Sequence, residues 1–240
     1  MPESKLPPIK GFTPSTLLDW EGKIACILFV PGCNFRCPFC HASPLVLRPD
    51  KLEDVAPEQI AAHVTNNEGW IDGAVICGGE PTIHEALPDL CRWLRKLGLA
   101  VKLDTNGARP QVVKQLIDDG LVDLVAMDVK APFDERYHAA AGVECDIDAV
   151  KQTADMLIET GFPHEFRTTV CPAIHTSRDV LDVAASLRGA QRYVLQPFRP
   201  VDCLEPSLDD TDPMPIQELR QLAEACRQFV SNCSIRGDQG

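Results

Sequence analysis

Three cysteines, Cys33, Cys37 and Cys40, stand in the spacing CxxxCxxC within Gly32-Cys33-Asn34-Phe35-Arg36-Cys37-Pro38-Phe39-Cys40-His41, directly after the apolar run Ile24 to Val30. Three thiolates so close in sequence converge readily on one metal centre. A four-iron cluster usually takes four cysteine ligands, so a three-cysteine set leaves one iron with an open coordination position. An open position is where a metal site does chemistry, as the contrast between structural and catalytic zinc sites illustrates. Two plainer readings compete. A structural zinc site of Cys33, Cys37, Cys40 and His41 requires the adjacent Cys40 and His41 to point at one tetrahedral ion, which is hard to arrange. Inert buried thiols are the other reading. The rest of the chain decides between them.

The elements that must position this loop alternate between strand and helix. After a lead-in over residues 1–22, with a short strand near Thr16 to Leu18, strands are expected at Ile24 to Val30, Gly73 to Cys77, Ala100 to Leu103, Val122 to Met127, Glu165 to Val170 and Arg192 to Leu195. Helices are expected from Pro57 to about Asn66, behind a capping box at Thr82-Ile83-His84-Glu85, from Pro110 to Gly120, over Val150 to Thr160, from a Ser177 cap to Arg188, and over about Pro215 to Val230. Ala131 to Cys145 reads as a longer loop. Six such units imply an α/β fold, a partial (β/α)6 barrel with a parallel sheet and outer helices, in a single core domain over residues 23–240. An open doubly wound sheet satisfies the same pattern. In a barrel, Gly78-Gly79-Glu80-Pro81, Asp104-Thr105-Asn106-Gly107, Asp128-Val129-Lys130 and Gln196-Pro197-Phe198-Arg199-Pro200 all fall at the C-terminal ends of strands, on the rim where active sites form.

Composition narrows the function. The net charge of −12 argues against a general nucleic-acid or anionic-membrane surface. No apolar run reaches the roughly 18 residues needed to span a bilayer, and Met1 to Gly11 lacks the apolar core of a signal peptide. A cytoplasmic protein is expected, with its 11 cysteines as thiols or metal ligands, not disulfides.

The cysteine loop after the first core strand, followed by Gly78-Gly79-Glu80-Pro81 after the second, resembles the signature of the radical SAM enzymes. The resemblance implies one [4Fe-4S] cluster held by Cys33, Cys37 and Cys40, with S-adenosylmethionine chelating its open iron. Phe39 matches the position near the adenine. Gly78, Gly79 and Glu80 match the segment that binds the methionine amino group. Ser15, Asp19 and Gly22, together with GCNFRCPFCH, GGEPT, DTNG, DVK and LQPFRP, are similar to the glycyl-radical-enzyme activating enzymes, and among them to the longer type of anaerobic ribonucleoside-triphosphate reductase activating protein. That family places cofactor contacts at the positions of Asp104, Asn106, Asp128, Lys130 and Arg167, the two cations suiting a carboxylate or ribose. His41 is expected as a hydrogen-bond donor beside the cluster, not a ligand.

The implied activity is reductive cleavage of S-adenosylmethionine, with an electron from reduced flavodoxin or ferredoxin, followed by abstraction of a hydrogen from a glycine of a partner glycyl radical enzyme, an anaerobic ribonucleotide reductase. No side-chain acid or base is needed. Activation of another glycyl radical enzyme, a small-molecule reaction such as that of a deazaguanine-forming synthase, and a zinc module are the competing readings. Some activating enzymes carry a cysteine-rich insert, but no cysteine lies between Cys40 and Cys77. The remaining cysteines are expected to be structural thiols, a second cluster from Cys203, Cys226 and Cys233 being the alternative.

Overall fold

β2 (Ala25–Val30) forms where the chain is apolar at every position, as a strand covered on both faces must be. In this computed structural model, which describes residues 6–238, β2 runs parallel to β3 (Gly73–Gly78), pairing from Ala25↔Gly73 to Val30↔Gly78. β3 in turn pairs in parallel with β4 (Ala100–Thr105), from Gly73↔Ala100 to Ile76↔Leu103. The lead-in contributes a strand longer and earlier than its sequence suggests. β1 (Gly11–Thr16) is antiparallel to β2, and its register shifts between Thr13 and Thr16. Pro14 and Ser15 lie in that shift. Proline has no amide hydrogen to give a ladder, so an irregular edge strand is where it is tolerated.

The chain divides into two compact units. The first takes in the chain up to Asn34, Pro44–Thr105 and Gln111–Val125; the second takes in Phe35–Ser43, Asn106–Pro110 and the chain from Ala126 onward. Strand order within the first is β1-β2-β3-β4. The second holds most of β5 (Leu124–Asp128), then β6 (His164–Val170), β7 (Tyr193–Pro197) and β8 (Cys233–Ile235), in the order β5-β6-β7-β8. β6 and β7 pair in parallel from Phe166↔Tyr193 to Val170↔Pro197, and β7 and β8 from Tyr193↔Cys233 to Leu195↔Ile235. Within each unit the order follows the chain and never reverses, unlike a doubly wound sheet at its switch point. The expected α/β class with a parallel sheet is therefore the one observed. β8 was not anticipated; its three residues carry too little pattern to read.

Long helices follow the strands: α2 (Pro57–Asn66), α3 (Leu87–Lys96), α4 (Pro110–Asp118), α6 (Ile147–Thr160), α7 (Ser177–Ser186) and α8 (Ile216–Cys226). There are also two shorter helices, α1 (Ser43–Leu47) and α5 (Arg136–Ala141), the second within the stretch Ala131 to Cys145 that reads as a loop. α3 buries Leu87, Leu90, Cys91 and Leu94 along one stripe, each leucine worth about 2 kcal/mol when fully removed from water. Two expected caps are replaced. Thr82 does not cap α3, because its amide and hydroxyl are both spent on Glu80, in a single turn over Pro81–Ile83. α7 is capped by Thr176 instead of Ser177, in a reciprocal box with Asp179. Among the described residues no helix is long and apolar enough to cross a membrane.

One face of the first unit's sheet is set by alternation. Ala25 and Ile27, Val75 and Cys77, Ala100, and Leu124 pack with Trp20 and Phe29. A Cβ on Gly73 would lie 2.8 Å from the Trp20 ring, so the indole lies close against the beginning of β3. Two residues on from Ala100, and two more, the same face of β4 carries Lys102 and Asp104.

Candidate active site

In the first unit, Val30 leads through Pro31 and Gly32 to Cys33, and the segment after β3 closes on that turn. Gly79 N–H donates to Val30 O at 2.8 Å and Glu80 N–H to Gly32 O at 2.7 Å. The approach requires glycine. A Cβ on Gly79 would lie 1.7 Å from Gly32 O, and one on Gly78, whose φ is +121°, would lie 2.4 Å from Val30 O. His84 adds a contact from Nε2 to Pro31 O at 2.7 Å. Glu80 is 1% exposed. Its Oε1 accepts from Thr82 N at 3.1 Å, Thr82 Oγ1 at 2.5 Å and Thr105 Oγ1 at 2.7 Å. These bonds tie the ends of β3 and β4 together and fix the carboxylate as an acceptor. Asp104 lies 3.7 Å from the ammonium of buried Lys102, which also donates to Asp19 O.

In the second unit, the remainder of the cysteine loop is held by main-chain bonds. Cys40 N–H donates to Cys37 O at 3.0 Å, forming a tight turn. Arg36 N–H donates to Ala141 O at 2.8 Å, and a Cβ on Gly142, the left-handed cap of α5, would meet Arg36 O at 2.0 Å. Beyond β7, Leu204 N–H donates to Cys40 O and Glu205 N–H to Pro38 O, both at 2.9 Å. His41 lies on Phe198, ring centroids 6.4 Å apart, with its Nε2 2.8 Å from Arg199 O. The segment Gln196 to Pro200 thus grips the loop through its backbone and one ring. Cys37 and Phe39 are buried, whereas Cys33 and Cys40 are half-buried. Asn106 is buried, its Oδ1 accepting from Ala108 N at 3.0 Å.

A charge chain crosses the ends of β5 and β6. Arg167 Nε donates to Asp128 Oδ1 at 2.7 Å, and Lys130 Nζ to Asp128 Oδ2 at 3.0 Å. Arg167 Nη1 lies 3.9 Å from Glu165, which also meets Arg192 at 3.3 Å and Arg236 at 3.0 Å. Burial would raise the Asp128 carboxyl, but the Arg167 and Lys130 charges and their hydrogen bonds hold it well below the usual carboxylate range. For Lys130 burial works downward, and the Asp128 carboxylate and the field of Cys37 outweigh it, so the ammonium keeps its proton. Lys130 and Arg167 both present cationic donors around the one Asp128 carboxylate, donor types that suit an anionic ligand group.

Sequence reasoning missed three residues. Tyr137, fully buried, accepts Lys130 N–H at 3.2 Å. His175, also buried, lies between Phe39 and the main chain of Lys130. Lys102 was legible as a lone charge inside an apolar strand; a single histidine five residues past a strand gives no such signal. Of the sequence-predicted residues, the first unit joins the Gly32–Cys33 turn to Gly78, Gly79 and Glu80. The second joins Asp128, Lys130 and Arg167, with Phe39 one side chain away through His175.

Soft thiolates are the donors iron–sulfur clusters take, and Cys33, Cys37 and Cys40 are cysteines held in no disulfide. Among the described residues no group of three or more His, Cys, Asp or Glu is drawn together as a metal site. The donor chemistry fits a cluster, and its ligand set rests on the spacing.

A family model described as the Radical SAM superfamily matches residues 27–187. A protein of Methanocaldococcus jannaschii, provisionally named a glycyl-radical enzyme activating enzyme, is 30% identical over 238 residues, 97% of each chain. The pyruvate formate-lyase-activating enzyme of Clostridium pasteurianum is 20% identical over 228 residues, 89% of this chain and 94% of its own. Among solved structures, Streptococcus suis SuiB bound to S-adenosylmethionine aligns over 89% of this chain and 52% of its own, with a TM-score of 0.66 and 15% identity, a likeness of fold.

Proposed function

The chain belongs to the Radical SAM superfamily, and on that premise we propose that it is an activating enzyme for a glycyl radical enzyme, with an anaerobic ribonucleoside-triphosphate reductase as the partner its sequence motifs favour. The observation that carries the reading is its relationship, along nearly the whole of both chains, to a protein named as such an activating enzyme.

Cys33, Cys37 and Cys40 would hold a [4Fe-4S] cluster and leave its fourth iron for S-adenosylmethionine. When bound, the two supply a one-electron cleavage that yields methionine and a 5′-deoxyadenosyl radical, which takes a hydrogen atom from the α-carbon of a partner glycine. The chain's own part is binding, orientation and exclusion of water. Gly78 and Gly79 bring the backbone after β3 onto Gly32, and Glu80 offers a fixed carboxylate to the methionyl ammonium. Phe39 supplies a buried ring for the adenine. Lys130 and Arg167, aligned by Asp128, offer cationic donors to a carboxylate or to ribose oxygens. Asp104 and Asn106 complete the set of proposed contacts. Reduced flavodoxin or ferredoxin is the electron source in this reading, and an oxygen-poor cytoplasm the setting.

Electron paramagnetic resonance on anaerobically reconstituted, reduced protein with S-adenosylmethionine and an anaerobic ribonucleotide reductase tests it, with 5′-deoxyadenosine assayed in the same tube. A glycyl radical signal that disappears when the partner glycine is replaced by alanine is the expected result. Deoxyadenosine without that signal would reject this partner and move the substrate to another glycyl enzyme or a small molecule. A protein that takes up zinc and no iron would overturn the reading.

A further inference from the structure

His175 follows β6 and precedes the cap of α7, in a position that spacing does not single out. It is 4% exposed. Three contacts hold its ring, from three separate segments of the second unit. Nδ1 lies 3.1 Å from Cys171 N, Nε2 lies 2.7 Å from Lys130 O, and the ring centroid is 5.9 Å from that of Phe39, tilted by 57°. A main-chain N–H can only donate, so Nδ1 must present its lone pair to Cys171. A carbonyl can only accept, so Nε2 must carry the hydrogen that meets Lys130 O. The two bonds together admit one tautomer of the neutral ring and exclude the other. The imidazolium is excluded as well, since its Nδ1–H would face the Cys171 N–H.

The groups facing the ring agree. Lys130 lies on the β5 side, Cys171 on the β6 side and Asp179 on α7. Burial, the largest influence, lowers the ring's affinity for a proton and outweighs the opposing bond to Lys130 O and the pull of Asp179. The consequence reaches Lys130 from both ends of its peptide. Tyr137 Oη accepts its N–H at 3.2 Å and His175 Nε2–H donates to its O at 2.7 Å, while Val129 N–H donates to Arg167 O at 2.9 Å. The pinned backbone fixes the point from which the Lys130 side chain sets out, and its Nζ is held on Asp128 Oδ2 at 3.0 Å.

We propose that His175, with its proton on Nε2, is a positioning residue that fixes the Lys130 backbone and the Phe39 ring relative to each other and so sets the site for S-adenosylmethionine. This rests on the reading of Lys130 and Phe39 as cofactor contacts.

The test compares two variants that each keep one half of the bridge. His175→Gln places an amide N–H near the Nε2 position and keeps the bond to Lys130 O. His175→Asn places an amide oxygen near the Nδ1 position and keeps only the bond from Cys171. His175→Gln should retain a KM for S-adenosylmethionine within about threefold of the parent, whereas His175→Asn should raise it by about tenfold, the loss of one buried hydrogen bond, with kcat changed much less. Equal KM values in the two variants would overturn the proposal, since a residue that merely filled space would not distinguish them. Independently of any cofactor, long-range 1H–15N correlation on the apo-protein should show one histidine ring with an Nε2–H tautomer that is absent from His175→Asn. An Nδ1–H or doubly protonated His175 at neutral pH would overturn the proposal even if neither variant folded. The tautomer is read without iron or S-adenosylmethionine, so a failure to cleave the cofactor would count against the proposed function and leave the assignment of His175 standing.

Discussion

Arg167 Nε and Asp128 Oδ1 lie 2.7 Å apart across the ends of neighbouring segments, and Arg167 returns its own main-chain O to Val129 N–H at 2.9 Å. The β6 arginine is thus bonded to the Asp128-Val129 dipeptide through both its side chain and its backbone. Removing the half-buried Asp128 costs more than the pair is worth, because the buried Arg167 charge is left behind.

Asp128→Asn should therefore lower stability at neutral pH by about 3 kcal/mol. The pH dependence has a definite sign. The folded-state affinity of Asp128 for a proton is depressed, so its contribution is complete above about pH 5 and is lost as the pH falls below about 4 and onward through the folded pKa. Thermal melts of parent and Asp128→Asn should differ at pH 7 and approach one another in acid. A difference that stays constant down to pH 3 would contradict the assignment of that charge.

Gly79→Ala is expected to disable the site without a change in charge or polarity. The added Cβ would sit 1.7 Å from Gly32 O and 2.5 Å from Gly32 C, against backbone that leads directly into Cys33. A displacement of about 1 Å at a reacting centre costs on the order of a hundredfold in rate, and deoxyadenosine formation should fall by at least that much. Gly98→Ala is the control. Its φ is +83° but nothing lies within 4 Å of the new carbon, so it should cost about 1 kcal/mol of strain and leave the rate unchanged.

How much of this was legible beforehand depends on the kind of signal. Apolar runs ended by glycine and proline announce the strands and helices, because burial on both faces leaves the sequence little choice. The Cys33, Gly78-Gly79 and Asp128-Lys130 motifs could be placed at strand ends for that reason alone. Three-dimensional partnership was not legible. Thr82 was expected to cap a helix and instead binds Glu80. His175 and Tyr137 were invisible because their roles depend on segments about 45 and 7 residues away in sequence meeting in space, and neither belongs to a repeating pattern.

Lys102 tests the first unit in the same spirit. Its ammonium is buried beneath Asp104 and donates to the Asp19 carbonyl in the turn before β2. Lys102→Met keeps the volume of the side chain and removes the charge, and with it the ion pair to Asp104 and the bond to Asp19 O. A loss of about 3 kcal/mol follows, with Lys102→Arg recovering part of it. A Lys102→Met protein as stable as the parent would show that the interior tolerates an apolar filling there, as some buried ion pairs do.

The cysteines separate most sharply under substitution. Cys26 and Cys91 are buried among apolar side chains, and burial, as the largest influence, pushes their thiols up to about 11 and about 12. A thiol so reluctant to ionise is a poor metal ligand, since it is the thiolate that binds. Cys26→Ala and Cys91→Ala should each cost about 1–2 kcal/mol of packing and leave iron content untouched. Cys33→Ala, Cys37→Ala and Cys40→Ala should each abolish the four-iron cluster's visible absorbance and its cleavage of S-adenosylmethionine while leaving the fold intact. Iron and acid-labile sulfide per chain, measured after anaerobic reconstitution, distinguish the two groups. Retained cleavage in Cys37→Ala would sink the three-cysteine assignment, and iron lost from Cys91→Ala would mean that a buried strand or helix thiol, not the loop alone, supports the cluster.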